Sequence, residues 1–92
     1  GGLSGAAMHP VAVRAVYDVH EALPHVPIVG VGGTTSGADV VEFLLAGASA
    51  VEVGTATFAD PRAPRRILKE FEKWCERRGV STVAELIGAA HG

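Results

Sequence analysis

An α/β fold built on parallel strands is the class this sequence predicts, and three observations carry the prediction. Val26 to Ser36 reads VPIVGVGGTTS, an apolar run ending in Gly32-Gly33 before a helix that opens at Ser36. A strand apolar on both faces belongs in a parallel sheet covered by helices. Ala48 to Val53 (ASAVEV) repeats the grammar, a short β-rich run that ends in Gly54-Thr55 before another helical stretch. Parallel neighbours share their carboxyl-terminal side, so both junctions place free backbone N–H groups on one rim. Finally, glycines number 12 in 92 residues, which suits several tight strand-to-helix turns. In a (β/α)8 barrel the loops after the last two strands are the usual phosphate site. The expected architecture is thus the carboxyl-terminal part of a TIM barrel, two parallel strands with flanking helices. A full barrel needs about 250 residues, so residues 1–92 read as one partial domain.

Taken in order, GGLSGAAMHP at Gly1 to Pro10 has no periodicity and reads as a loop, either a free end or a segment over a ligand with Ser4 and the Gly5 amide as donors. Pro10 suits the first turn of a helix, and Val11 to Ala22 supplies it, with Val13, Val16, Tyr17 and His20 on one stripe. After the Val26 to Val31 strand, Ser36 and Asp39 fit a capping box for a helix through Ala46. Val40, Val41, Phe43, Leu44 and Leu45 make that helix apolar over most of its girth, and Gly47 suits the turn that closes it. Pro64 to Arg78 forms the longest helix, with Ile67, Leu68, Phe71, Trp74 and Cys75 as its core stripe and Gly79 ending it. Thr82 with Glu85 opens a short terminal helix through Leu86 and Ile87.

Composition narrows the function. A net charge of −2 offers no basic footprint for nucleic acid. A single cysteine forms no internal disulfide and fits a reducing compartment. No apolar stretch approaches the roughly 18–20 residues of a membrane span and no signal peptide is present, so a cytoplasmic location is expected. His9, His20, His25 and His91 show neither ligand spacing nor a nearby carboxylate or cysteine cluster, so no metal site is expected. Cys75, on a helix core stripe, reads as a buried inert thiol. Glu52, within a strand, reads as a structural carboxylate. A dinucleotide fingerprint fails because Thr35 stands where its third glycine should be.

GGLSG at Gly1 to Gly5, GVGG at Gly30 to Gly33 and AGASAVEVGTATFADP at Ala46 to Pro61 together resemble the carboxyl-terminal part of the dihydroorotate dehydrogenase family. GTATF is more similar to the soluble class 1 enzymes than to the membrane-associated class 2 type, and the final GVSTVAELIG is similar to the class 1 members that work with a separate electron-transfer subunit. The resemblance implies a TIM barrel that carries flavin mononucleotide (FMN) and oxidises dihydroorotate to orotate in pyrimidine synthesis. It also implies an iron–sulfur and FAD electron-transfer partner and a homo-oligomer. The family's phosphate-gripping amides map onto Gly5, Gly32, Gly33, Gly54 and Thr55. Its catalytic base, flavin-contacting lysine and substrate asparagines lie upstream, so no catalytic residue is assigned in this chain. Related sequences often carry proline at Ala6 and a basic residue at His9. Two other readings stay open: a flavin barrel like that of dihydropyrimidine dehydrogenase, and a non-catalytic phosphate-binding half-barrel.

Overall fold

Two short parallel strands, β1 (Val29–Gly30) and β2 (Ala50–Val51), pair with Val29 opposite Ala50 and Gly30 opposite Val51. The computed structural model describes residues 5–53 and 61–92, with side chains from Met8 onward. Two further bonds extend the ladder, Ser49 N–H to Ile28 O at 2.8 Å and Glu52 N–H to Gly30 O at 2.9 Å. Both strands are shorter than the predicted runs. Pro27 has no N–H to donate at one end of β1, and Gly32, at φ 137°, turns the chain away at the other.

Among the described residues, three α-helices surround this pair. Helix α1 (Gly5–Ala22) begins well ahead of the expected start, and Pro10 lies inside it. Ala6, Ala7 and Met8 are strong helix formers, and Pro10 withdraws only the one backbone donor that would have met the Ala6 carbonyl. The expected stripe holds: Val16 is buried, and Val13 and Tyr17 pack against the same cluster. Helix α2 (Gly37–Ala46) supplies the largest share of the core through Val41, Phe43, Leu44 and Ala46. Gly47, at φ 128°, ends it, its N–H bonded to the carbonyls of Phe43 and Leu44. Helix α3 (Ala63–Arg78) ends at Gly79 in the left-handed conformation, φ 69°.

Two glycines set how closely these elements approach. A Cβ on Gly30 would fall 2.6 Å from two ring atoms of Phe43, the side chain of α2 that is 0% exposed. Gly37, the first residue of α2, lies against the α3 backbone at Glu70 and Phe71, where a Cβ would overlap main-chain atoms.

The expected core stripe of α3 is narrower than its periodicity suggested. Ile67 is buried, but Leu68 is 54% exposed and lies on an open apolar groove with Val40, Leu44, Val51 and Phe71. Cys75 is half-buried rather than buried, and desolvation pushes its thiol pKa up. The expected terminal helix is two 3₁₀ turns, Val83–Glu85 and Ala89–His91, separated by Gly88 at φ 76°. The Glu85 carboxylate accepts from the amides of Ser81 (2.9 Å) and Thr82 (3.4 Å).

Candidate phosphate-binding site

The loop after β1 is shaped by two consecutive glycines with positive φ, Gly32 at 137° and Gly33 at 64°. L side chains rarely adopt these angles, so the chain can bend here with its amides unobstructed. Among the described residues, the amides of Gly32, Gly33 and Thr34 make no hydrogen bond. The Thr34 side chain turns inward, its hydroxyl buried without a hydrogen-bond partner.

Helix α1 holds this loop from one side. His9 Nδ1–H donates to Gly32 O at 3.0 Å, and a Cβ on Gly32 would meet the Ala12 methyl at 3.0 Å. Gly5, the first residue of α1, lies one turn before His9. Of the expected phosphate residues, Gly32 and Gly33 form this loop and Gly5 begins α1. Gly54 and Thr55 lie outside the described residues.

The start of α2 differs from expectation. Its amides were expected to face the ligand, yet side chains of the protein occupy them. Asp39 N–H donates to Ser36 Oγ at 3.2 Å, Thr35 N–H to Asp39 Oδ2 at 2.9 Å, and Gly37 N–H to Glu70 Oε1 at 2.8 Å. The first of these is the expected cap, but the Asp39 carboxylate reaches back to Thr35 and not to Ser36. Arg66 braces Glu70 at 3.2 Å while donating to Thr35 O at 3.0 Å. Two carboxylates at this terminus satisfy its dipole and repel a phosphate dianion. Among the described residues, the loop amides at Gly32 and Gly33 carry no such side-chain partner.

The histidines also depart from expectation. His9 is 6% exposed, and its Nε2 lies 3.4 Å from Asp39 Oδ1 and 3.5 Å from Glu42 Oε2. A carboxylate cluster thus does stand beside a histidine, assembled from residues distant in sequence. His91 Nδ1 lies 2.7 Å from Glu21 Oε2 and its Nε2 2.7 Å from Ala46 O. Both ring nitrogens face acceptors and both must donate, which requires the imidazolium. The Ala46 carbonyl, followed by Glu21, raises the His91 pKa above its ordinary 6.5. Glu52 follows β2 and is exposed.

These elements define a partial α/β barrel with a glycine loop at the carboxyl end of its first strand. The dihydroorotate dehydrogenase family model matches residues 1–74, and the chain belongs to this family. The catalytic subunit of dihydroorotate dehydrogenase B (NAD(+)) from Desulforamulus reducens is 50% identical over 99% of this chain, and that from Pelobacter propionicus 53% over 97%. A Solibacter usitatus protein provisionally described as dihydroorotate dehydrogenase A (fumarate) is 54% identical over 96%. The chain spans 29–30% of the length of these relatives. Among solved structures, the dihydroorotate dehydrogenase of Eimeria tenella in complex with ferulenol superposes with a TM-score of 0.90 at 33% identity. The match covers 99% of this chain and 25% of that one, and the fold it shares is the TIM barrel.

Proposed function

We propose that this chain is the carboxyl-terminal, FMN phosphate-binding portion of a dihydroorotate dehydrogenase that oxidises dihydroorotate to orotate in pyrimidine biosynthesis. The observation that carries the proposal is the contrast in backbone amides. Those of Gly32 and Gly33 are open and held at positive φ, whereas those at the α2 start are already bonded to side chains. Gly5 and the Gly32-Gly33 pair would hold the phosphate from two sides, and Gly54 and Thr55 would complete the grip. When bound, FMN supplies a two-electron acceptor for the substrate hydride. This chain's residues position the cofactor, and no catalytic base is assigned to them, so the segment alone is expected to be inactive.

The likeness to B-type catalytic subunits supports a cytoplasmic enzyme that passes electrons to an iron–sulfur and FAD subunit and assembles as a homo-oligomer. The A-type relative at similar identity makes fumarate the competing acceptor. Assaying the full-length enzyme with fumarate, and with NAD(+) in the presence of the partner subunit, separates the two.

Gly33→Val tests the phosphate site. Gly79→Val is its control, because Gly79 has nearly the same φ (69° against 64°) and nothing within 4 Å of a Cβ. Both variants bear similar backbone strain. Full-length Gly33→Val is expected to lose bound flavin on purification while Gly79→Val keeps it. Equal flavin content in both would remove Gly33 from the site.

A further inference from the structure

His9, Asp39 and Glu42 converge where α1 crosses the start of α2. Asp39 and Glu42 are three residues apart and stand on one side of α2, and the potential ligand atoms of all three residues lie within 4.8 Å of one another. His9 is more than nine-tenths buried, and its Nδ1–H donates to Gly32 O. That bond orients the ring and leaves Nε2 to point at the two carboxylates, where it is buried without a hydrogen-bond partner. A ring nitrogen fixed by a second bond to a backbone carbonyl is the usual outer-shell arrangement of a metal-binding histidine.

The distances favour an ion over a direct pairing. At 3.4 and 3.5 Å, both carboxylate oxygens are too far from Nε2 for a well-formed charge-assisted hydrogen bond, which is roughly 2.7–2.9 Å. Two ligands on a tetrahedral ion at about 2.0–2.1 Å are about 3.3–3.4 Å apart. The two separations from Nε2 are close to the edges of such a coordination shell. Asp39 Oδ2 is committed to Thr35, which holds its Oδ1 towards His9. Glu42 is exposed and adjusts freely.

We propose that His9 Nε2, Asp39 Oδ1 and Glu42 Oε2 bind a divalent transition-metal ion of the zinc class, with water completing the shell. One imidazole and two carboxylates suit such an ion better than magnesium or calcium, which prefer oxygen alone. Because His9 also holds Gly32 O, the ion would pin α1 to α2 and stiffen the glycine loop from outside the phosphate site.

The test uses the full-length protein, stripped with chelator and dialysed, with Zn²⁺ and Co²⁺ as probes and no dependence on flavin or turnover. Wild type should bind one Zn²⁺ per chain at this site, gain thermal stability from it, and show the intense visible bands of tetrahedral Co²⁺. His9→Lys keeps a cation beside the carboxylates but offers no ligand while protonated, so the metal-dependent shift in Tm should vanish. Glu42→Gln, a near-isosteric change at an exposed position, should weaken Zn²⁺ binding at least tenfold. Undiminished binding in Glu42→Gln together with His9→Lys would overturn the proposal. So would a wild type that binds no Zn²⁺, and the cluster would then be a structural contact between His9 and the two carboxylates.

Discussion

The two faces of the β1–β2 pair are finished to different degrees. On one face, Gly30 admits the Phe43 ring at contact distance, and Val16, Ala46 and Ala48 close around it. On the other, Val29 is 59% and Val31 55% exposed, and Ala50 and Glu52 beside them are exposed as well. The same strand is thus core on one side and bare apolar surface on the other. In a barrel one face of every strand meets the helix layer and the other meets the barrel interior. The difference teaches that the helices of this chain cover their face of the strands around Phe43, whereas a barrel interior takes side chains from all the strands. The likeness to barrels of which this chain covers only 25–26% fits that division.

The largest break in the comparison should come from the covered face. Phe43→Ala would remove a fully buried ring that also meets the His9 edge at 4.9 Å, and should cost about 3–5 kcal/mol in chemical denaturation of the full-length protein. A cost below about 1 kcal/mol would mean the helix layer is not the close-packed region described. Gly37→Ala is expected next. Its new methyl would meet the α3 backbone and part the Gly37–Glu70 bond, with a cost of about 1–3 kcal/mol. Wild-type stability in that variant would show that α3 shifts without penalty.

The bare face is tested by context. Val31→Thr in the 92-residue chain alone should change stability by less than about 0.5 kcal/mol, as for other exposed positions. The same substitution in the full-length protein should cost clearly more, because barrel-interior positions are packed. The isolated chain should also self-associate on size exclusion through its uncovered apolar face and strand edges. A monodisperse monomer with equal Val31→Thr effects in both contexts would erase the contrast.

How much of this was legible in the sequence follows the same division. Local signals read well: the Ser36 cap, the Gly47 and Gly79 terminators and the order of strands and helices all depend on residues within a turn or two. Leu68 was misread because periodicity marks an apolar face but not what covers it. The α1 start was misread because Pro10 is a common first-turn residue, and the three good helix formers between Gly5 and His9 outweighed it. Two groupings carried no local signal at all. Glu70 caps α2 from a helix 33 residues away, and His9 meets Asp39 across a comparable gap. Only the close crossings of α1 and α3 over α2 bring those side chains together.

The smallest expected effect concerns the seal on the covered face. His91 bridges Glu21 of α1 and Ala46 O of α2, stacks on Tyr17 at 4.0 Å, and lies 4.6 Å from His20. Because its pKa is raised in the folded chain, the stabilisation is fully present below the ordinary histidine value of 6.5 and fades as pH rises through the folded value. Glu21 is the carboxylate that faces the ring, and His20 is the other titratable ring in contact with it. Deprotonation removes one of the two donors, so either the Glu21 or the Ala46 bond must break. The second 3₁₀ turn then loses a tie to the helix layer, while Gly88 N–H remains bonded to Leu44 O at 2.8 Å. Amide exchange at Ala89 to His91 should therefore quicken above neutral pH more than intrinsic exchange does. In His91→Gln that extra acceleration should disappear. If it persisted, the pH dependence would belong to another group and the covered face would be sealed without His91.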